Sequence, residues 1–203
     1  MLAFGESLGY NICIERGDRM KAWQHFKTIT KHRRLVRKGC FRVGLYWQGL
    51  VHDLSKYALT EFRSGARYYQ GTRSPNTAER EDKGFSEAWM HHKGRNRHHY
   101  EYWTDMNRQT RNYEVLPMPR KYLVEMVMDR RAACMVYQGD AYKLSSALDY
   151  FMSSRDRELM HPRTSRELEY ILTMLRDQGE EETFRYLREE VLAGKPFPWE
   201  NGE

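Results

Sequence analysis

The sequence predicts an all-α fold. Apolar residues recur at three- and four-residue steps along several segments, the spacing that places side chains on one face of an α-helix. Strand-like alternation is scarce, and neither an internal repeat nor a βαβ pattern occurs. The chain of 203 residues is long enough for one domain with a substantial core. We therefore expect a single helical bundle.

The N-terminal half of the chain shows several helical segments. Residues 20–43 carry a regular apolar stripe, and Gly44 can end that helix. The segment "LYWQGLVHDL" at 45–54 is apolar nearly all round, which predicts a short, buried second helix. We expect a third helix in residues 58–71, an exposed loop rich in Gly, Pro and charge at 71–84, and a further helix at 85–93 with Ser86 near its start.

The C-terminal half contains the most regular helix. Pro119 suits a first helical turn, and "RKYLVEMVMDRRAACMVYQG" follows it with a broad apolar stripe and Asp129 near its edge. Residues 104–117 are polar and lack a period. Further helices are expected near 144–158, from Thr164 or Ser165 to Gly179, and at 180–193, before an irregular tail.

The domain organisation follows from these segments. Residues 1–19 show no clean period, and we expect an N-terminal extension there that is either non-native or poorly ordered. Residues 20–140 are expected to form the core of the protein. Residues 141–203 are expected to add helices that pack on that core.

Composition restricts the class of partner. The 34 Lys and Arg residues against 28 Asp and Glu give a net charge of +6, which favours anionic partners such as nucleotides or nucleic acid. The acids are interspersed, as on an ordinary solvated surface, so nucleic acid is the less favoured partner. Three cysteines without a CxxC pattern indicate a reducing compartment, and no apolar run approaches a membrane span. With no secretory signal, we expect a cytoplasmic protein without a membrane partner.

Histidines are the most informative residues of the sequence. Four of the eight lie in "HHKGRNRHH", as His91, His92, His98 and His99, and "LVHDLSKY" places His52 beside Asp53. A single histidine usually has a surface or structural role. If the predicted helices bring His32, His52, Asp53 and Asp129 together, their imidazoles and carboxylates form a ligand set for a divalent transition metal. A bound cation would also supply the partner that a charged pair in a core requires.

The order of these motifs resembles the HD superfamily of metal-dependent phosphohydrolases. The matching stretches are "KHRRLV" at 31–36, "LVHDLSK" at 50–56, "AWMHHKGR" at 88–95 and "VEMVMDRRAA" at 124–133. The second half also looks like the HD-GYP branch, although the Gly-Tyr-Pro signature is missing. "HDLSKY" with "HHKGRNRHHYEYW" is similar to an uncharacterised bacterial and phage family of small proteins. The resemblance covers roughly residues 20–140.

The resemblance implies an HD-domain-like helical bundle with additional C-terminal helices, and a ligand set for one or two divalent ions, Mn, Co, Ni, Zn or Fe. A first metal would be held by His32, His52, Asp53 and Asp129. His91 or His92, with His98 or His99, would serve a second metal or the substrate phosphate. The gap between the first two motifs leaves His25 open as an alternative to His32.

The implied activity is hydrolysis of a phosphate ester or anhydride, with a nucleotide or another small phosphorylated substrate. A metal that polarises water and a phosphoryl oxygen needs cations on the other phosphate oxygens. Lys56, Arg95 and Arg97 are the candidates for binding substrate, and Lys56, Arg95 and Asp53 are the candidate catalytic residues. Glu61 is either a proton donor or an exposed glutamate. His161, which precedes Pro162, is expected to have a capping or loop role and no part in the chemistry.

Two other functions stay open at this point. A di-iron oxygenase would use the same histidines with iron and oxygen. A catalytically inactive module would bind a nucleotide or nucleic acid through the basic surface and through aromatic residues such as Tyr68, Tyr69 and "YEYW" at 100–103, although aromatic residues at such spacing more often belong to a core. A homo-oligomer is also open.

Overall fold

A computed structural model of the protein describes the backbone of residues 4–200 and the side chains of residues 17–200. Its all-α character confirms the predicted fold class, since helices account for most of the described residues. The helices are α1 Phe4–Arg42, α2 Tyr46–Val51, α3 Leu59–Arg67, α4 Pro75–Lys83, α5 Glu87–Lys93, α6 Arg120–Gln138, α7 Ser146–Ser153, α8 Asp156–Leu159 and α9 Pro162–Tyr186. Short 3₁₀ turns lie at Leu54–Tyr57, Tyr100–Tyr102 and Gly139–Ala141, and a π-helical turn at Leu187–Val191 follows α9.

Helix α1 is longer than the sequence predicts. It begins at Phe4, well before the apolar stripe that starts at residue 20. No proline interrupts the first 42 residues, so the backbone hydrogen bonds continue upstream of that stripe. Residues 1–3 lie outside the described residues. The expected non-native or poorly ordered character of residues 1–19 stays a prediction.

The chain divides into two compact units. The first unit contains the described chain up to Lys31 together with Leu54–His92. The second contains His32–Asp53 and the described chain from Lys93 onward. The expected domain limits at residues 19 and 140 remain predictions.

In the first unit, helix α4 occupies most of the segment predicted to be an exposed loop. Pro75 begins the helix and Gly84, with φ 80°, ends it. Glu79 is fully buried in spite of its charge and accepts a hydrogen bond of 2.6 Å from the Ser86 hydroxyl. The same Ser86 oxygen accepts a hydrogen bond from the Trp89 backbone nitrogen at the start of α5, as predicted for a residue near that start. Side-chain hydrogen bonds therefore stabilise a helix that the polar composition conceals.

In the second unit, a hydrophobic core surrounds α6. This helix packs against α7 and α9, and α8 also packs against α9. Phe197, in the irregular tail, is buried in the same core. Buried residues of α6 and α9 include Leu123, Val124, Val127, Leu168, Ile171, Leu172 and Leu175. This core explains why α6 has the most regular apolar stripe in the sequence.

Several predicted boundaries in the second unit are wrong. Residues 104–117 contain an antiparallel hairpin of β1 Thr104–Met106 and β2 Tyr113–Val115, the only sheet in the described part of the chain. The helix expected near 144–158 is split into α7 and α8. Helix α9 starts at Pro162, two residues before the expected N-cap. The predicted stop at Gly179 is confirmed, since the backbone there leaves the helical conformation with φ 80° and ψ 179°.

His161 caps α9, in agreement with the role that the sequence predicts for it. Its Nδ1 accepts a hydrogen bond of 3.2 Å from the Arg163 backbone nitrogen. Thr164, one of the two predicted caps, is instead buried inside the first turn. Its hydroxyl oxygen accepts a hydrogen bond of 2.9 Å from the Met118 backbone nitrogen.

Helix α2 is not buried all round, in contrast to the prediction. Tyr46, Trp47 and Leu50 are 62%, 71% and 50% exposed. Only one side of this six-residue helix packs against α1, at Gly49, where an added Cβ would lie 3.0 Å from the Cβ of Cys40. A short helix with a single contact side cannot bury residues that point away from that side. No described helix is long and apolar enough to span a membrane.

Candidate metal centre

Three elements of the second unit bring together the four residues expected to hold a first metal. His32 lies on α1, His52 and Asp53 follow directly after α2, and Asp129 lies on α6. His32, His52 and Asp53 are buried, and each of the four residues offers a ligand atom within 4.8 Å of the others. The four therefore form a group that could hold a metal ion.

The backbone at the end of α2 makes this convergence possible. Neighbouring side chains on a helix point about 100° apart, so His52 and Asp53 could not face one point if α2 continued. The helix ends at Val51, His52 is extended with ψ 125°, and Asp53 has a φ of 53°. This left-handed conformation is uncommon for residues other than glycine, and aspartate tolerates it better than most.

Arg33 stabilises the same helix end. Its Nε donates a hydrogen bond of 2.7 Å to the His52 carbonyl oxygen, and its Nη2 donates one of 3.1 Å to the Leu50 carbonyl oxygen. The last carbonyl groups of a helix lack partners within the helix, and a guanidinium satisfies them. Arg33 thus holds the turn that carries His52 and Asp53.

The distances between the ligand atoms fit a coordinated metal. His32 Nε2 lies 2.9 Å from Asp129 Oδ1 and 3.6 Å from Asp53 Oδ2. His52 Nε2 lies 3.4 Å from each of the same two oxygens. Nitrogen and oxygen ligands at about 2.1 Å from one divalent ion are separated from each other by about 3.0–3.5 Å.

The burial of the two imidazole nitrogens also fits a metal. His32 Nε2 and His52 Nε2 are both inaccessible to solvent, and neither has a hydrogen bond of acceptable geometry within the described residues. Buried polar atoms normally have a partner, and exceptions call for an explanation such as an ion. A cation among the four residues would provide that explanation.

Glu125 supports the histidines and was not predicted from the sequence. It lies on α6 one turn before Asp129, and its Oε1 is 2.9 Å from His52 Nδ1 and 3.1 Å from His98 Nδ1. A carboxylate that accepts the Nδ1 proton leaves the Nε2 lone pair of each ring available for a metal. The sequence does contain a signal for this residue, because Glu125 stands among the apolar residues of α6, where a charged side chain requires a partner.

The charges of this cluster shift the pKa values of its members. Burial alone would lower the pKa of His52, but the Asp53, Asp129 and Glu125 carboxylates raise it to about 10. Burial alone would raise the pKa of Asp129, but His32 and His52 hold it well below its usual range. The Asp129 carboxylate therefore stays ionised in the metal-free protein, the charge state that a metal ligand requires.

A second group of ligand atoms shares Asp53 with the first. Asp53, His98 and His99 offer atoms within 4.8 Å of one another. Asp53 Oδ1 lies 3.4 Å from His98 Nε2, whereas its Oδ2 is the oxygen nearest to His32 and His52. One carboxylate with its two oxygens directed at two ligand groups is suited to bridge two metals.

His91 and His92 lie on α5 in the first unit. Their Nδ1 atoms are 2.6 Å and 2.8 Å from the two carboxylate oxygens of Glu61, and Ser55 Oγ is 3.2 Å from His92 Nδ1. Glu61 is only 5% exposed, which excludes the exposed glutamate that the sequence left open. Burial alone would raise the pKa of Glu61, but hydrogen bonds from His92 and His91 lower it. Its role as a proton donor stays a prediction.

The structure selects His32 over His25 for the group of four. His25 lies in the first unit, where its ring packs 5.4 Å from the ring of Phe62 and against Gly65. Burial, together with the charge of Lys56, lowers the pKa of His25 to about 4. Lys56 lies in the 3₁₀ turn Leu54–Tyr57 of the same unit.

The two candidate arginines are exposed in the second unit. Arg95 lies in the turn after α5. The Arg97 guanidinium carbon is 5.6 Å and 5.9 Å from the ring centres of Tyr102 and Tyr122, and its Nη1 donates a hydrogen bond to the Tyr122 hydroxyl. Tyr100 and Trp103 pack against the hydrophobic core, the alternative to base stacking that the sequence left open. Substrate binding by these arginines stays a prediction.

Comparison with known proteins identifies a family and no activity. The model of a family of unknown function, DUF5662, matches residues 21–174, more than half of the chain. No curated protein and no solved structure matches the chain. The chemistry of the site has to be inferred from its own residues.

Proposed function

The chain belongs to DUF5662, a family of unknown function, and we propose from its buried histidines and aspartates that it is a metal-dependent phosphohydrolase. The observation that carries the proposal is the convergence of His32, His52, Asp53 and Asp129 with spacings that suit one divalent ion. The motif resemblance to the HD superfamily supports hydrolysis of a phosphate ester or anhydride as the reaction.

In this proposal His32, His52, Asp53 and Asp129 hold the first metal. A second metal takes its ligands from Asp53, His98 and His99. The mixture of imidazole nitrogen and carboxylate oxygen suits Mn, Co, Ni, Zn or Fe. A divalent ion in such a site supplies Lewis acidity to a water molecule and to a phosphoryl oxygen.

The remaining tasks fall to the chain's own residues. Glu125 keeps the Nε2 atoms of His52 and His98 directed at Asp53 by accepting their Nδ1 protons. Arg95 and Arg97, which are exposed in the second unit, bind the phosphate of a small substrate such as a nucleotide. A part for Lys56 in substrate binding stays a prediction from the sequence. We place the reaction in the cytoplasm, since Cys40 and Cys134 are free thiols.

Elemental analysis of the purified protein tests the metal centre. We expect about one or two equivalents of a transition metal per chain, lost when His52→Ala or Asp129→Ala removes a ligand. His161→Ala, which changes a histidine that caps α9, is the matched control and should retain the metal. Full metal occupancy in both ligand variants would show that the site is placed wrongly.

The metal found then decides the reaction assay. With Mn, Co, Ni or Zn, a panel of nucleotides and small phosphate esters should release phosphate, and a chelator should stop the release. Two irons with oxygen consumption and no phosphate release would instead identify an oxygenase. A protein that binds no metal after reconstitution but binds nucleotides would be an inactive binding module.

A further inference from the structure

The positive charge of the protein is concentrated in one segment. Residues 19–52 contain nine Lys and Arg residues and no Asp or Glu. The formal charge of this segment exceeds the +6 of the whole chain, so the remainder is net acidic. On an ordinary solvated surface, interspersed Asp and Glu residues offset the charge of Lys and Arg. This part of the sequence contains no such acids.

Three of these cations lie on one exposed face of α1. Arg34, Arg37 and Lys38 are spaced by three and four residues, and all three are exposed. None forms an ion pair with a residue that the structure describes, whereas Arg42 pairs with Glu180 and Glu181. The three side chains therefore present uncompensated positive charge to solvent.

Exposed aromatic rings continue this face. Phe41 follows Arg34, Arg37 and Lys38 at the same helical spacing and is 39% exposed. Its ring contacts that of Tyr46 on α2, with the centres 5.4 Å apart. We name the surface formed by Arg34, Arg37, Lys38, Phe41, Tyr46, Trp47 and Leu50 the basic–aromatic face.

Packing at Gly49 fixes the orientation of the rings. A Cβ at this position would lie 3.0 Å from Cys40 Cβ and 3.1 Å from the Phe41 ring, so the glycine side of α2 sits against α1. Trp47 lies two residues from Gly49 and so faces the opposite side of α2, whereas the Tyr46 ring packs edge-on against Phe41. Both rings are nevertheless largely exposed, and only Tyr113 is a more exposed aromatic residue in the described part of the second unit. Rings held outward on a packed helix are available to a partner without rearrangement.

We propose that the basic–aromatic face binds single-stranded nucleic acid. Arg37 and Lys38 lie about 4.5 Å and about 6 Å along the α1 axis from Arg34, so the three cations can contact neighbouring phosphates of a strand. Unpaired bases offer flat surfaces on which Trp47 and Tyr46 can stack, and stacking does not require a particular sequence. The metal centre takes no part in this binding, which is independent of the proposed hydrolysis.

An anionic membrane surface is the other polyanion that such a face could meet, and the side chains favour nucleic acid. Three of the four apolar residues, Phe41, Tyr46 and Trp47, are aromatic, and only Leu50 is aliphatic. Insertion among acyl chains is favoured by a continuous apolar face along a helix. On α1 the exposed face carries cations instead.

Fluorescence anisotropy with a labelled oligothymidylate of about 16 nucleotides tests the proposal on the full chain. Binding is measured in the presence of a chelator and over a range of salt concentrations. We expect binding without metal, with an affinity that falls as salt rises. The Trp47→Ala variant should bind about tenfold more weakly because it loses one stacking partner.

The charge contribution is tested by a triple variant, Arg34→Gln, Arg37→Gln and Lys38→Gln. Loss of three phosphate contacts should reduce the slope of log affinity against log salt by about 2. The matched control replaces Arg157, Arg176 and Arg188 by Gln, which removes the same charge from exposed arginines elsewhere in the second unit. Unchanged thermal unfolding and metal content show that each variant is folded.

Three results would overturn the proposal. One is no binding of the oligothymidylate by the folded wild-type protein. Another is an equal loss of affinity in the triple variant and its control, which would show that only net charge matters. The third is binding to phosphatidylserine vesicles without binding to the oligothymidylate, which would assign the face to a membrane surface.

Discussion

At the scale of single residues, the candidate centre depends on two carboxylates with different tasks. Asp53 adopts a left-handed backbone conformation, which lets its side chain and that of His52 face the same point. Glu125 faces the other side of the imidazoles, and one of its oxygens lies within 3.1 Å of Nδ1 of both His52 and His98. The arrangement of the candidate ligands thus depends on the backbone at Asp53 and on the contacts of Glu125 with the two rings.

We predict that Glu125→Ala weakens metal binding by about 10- to 100-fold, because the two imidazoles lose the acceptor that fixes their orientation. Glu125→Gln retains an oxygen that can accept an Nδ1 proton, so its loss should be smaller. Competition with a chromophoric chelator measures both affinities. Equal affinity in Glu125→Ala and the wild type would show that Glu125 does not position the histidines.

At the scale of elements, close helix contacts depend on glycine. In the first unit, a Cβ at Gly65 of α3 would overlap the His25 imidazole of α1. Both residues are buried, so the ring has little room to move away. The missing side chain at Gly65 allows α1 and α3 to approach as closely as they do.

We predict that Gly65→Ala lowers the free energy of unfolding by about 1–3 kcal/mol, the usual cost of overpacking a core. Urea denaturation measures the change. Gly17→Ala is the matched control, since a Cβ at Gly17 of α1 would meet nothing within 4 Å. There we expect no loss of stability and a gain of up to about 1 kcal/mol.

A double variant identifies the cause. In a His25→Ala background the overlapping ring is gone, so Gly65→Ala should cost clearly less. An undiminished cost would mean that the methyl group acts on something other than His25.

At the scale of the whole molecule, buried histidines make the free energy of unfolding depend on pH. Burial, with Lys56 nearby, lowers the pKa of His25 to about 4, whereas carboxylates overcome burial at His52 and raise its pKa to about 10. The pKa of a buried histidine therefore moves in opposite directions, according to whether negative charges accompany the ring.

We predict that His25 makes the metal-free protein less stable in mild acid. Between its ordinary pKa near 6.5 and its folded pKa near 4, the unfolded chain binds a proton that the folded protein does not bind. The free energy of unfolding should therefore fall as the pH falls through this range, by up to about 3 kcal/mol from this residue.

Urea denaturation of the wild type and of His25→Gln at several pH values from about 4 to about 8 measures this contribution, because this range includes both pKa values and extends above them. The difference near the upper limit gives the packing cost of the substitution, because His25 is neutral there in both states. Below pH 6.5 the wild type should lose stability faster than the variant. Parallel curves would mean that His25 titrates alike in the folded and unfolded chain.

The sequence by itself determined the all-α class and the most regular helix, since the apolar stripe of α6 is a local property that follows from its spacing. It also supplied His32, His52, Asp53 and Asp129 as candidate ligands, because imidazole and carboxylate groups bind divalent metals and can be identified from the residue type alone. It did not reveal α4, where a buried Glu79 and Ser86 stabilise a helix of polar composition. The spacing of apolar residues predicts a helix only where the buried residues are apolar, and at α4 a buried residue is a glutamate.

Only the tertiary structure decided which of these residues meet. The choice of His32 over His25, the shared Asp53 and the support from Glu125 depend on residues from four distant segments and on a single left-handed backbone angle. The exposure of Tyr46 and Trp47 depends likewise on which side of α2 packs at Gly49. Side chains far apart in sequence converge through packing, and a helical period specifies a face of a helix but not the neighbour that the face will contact.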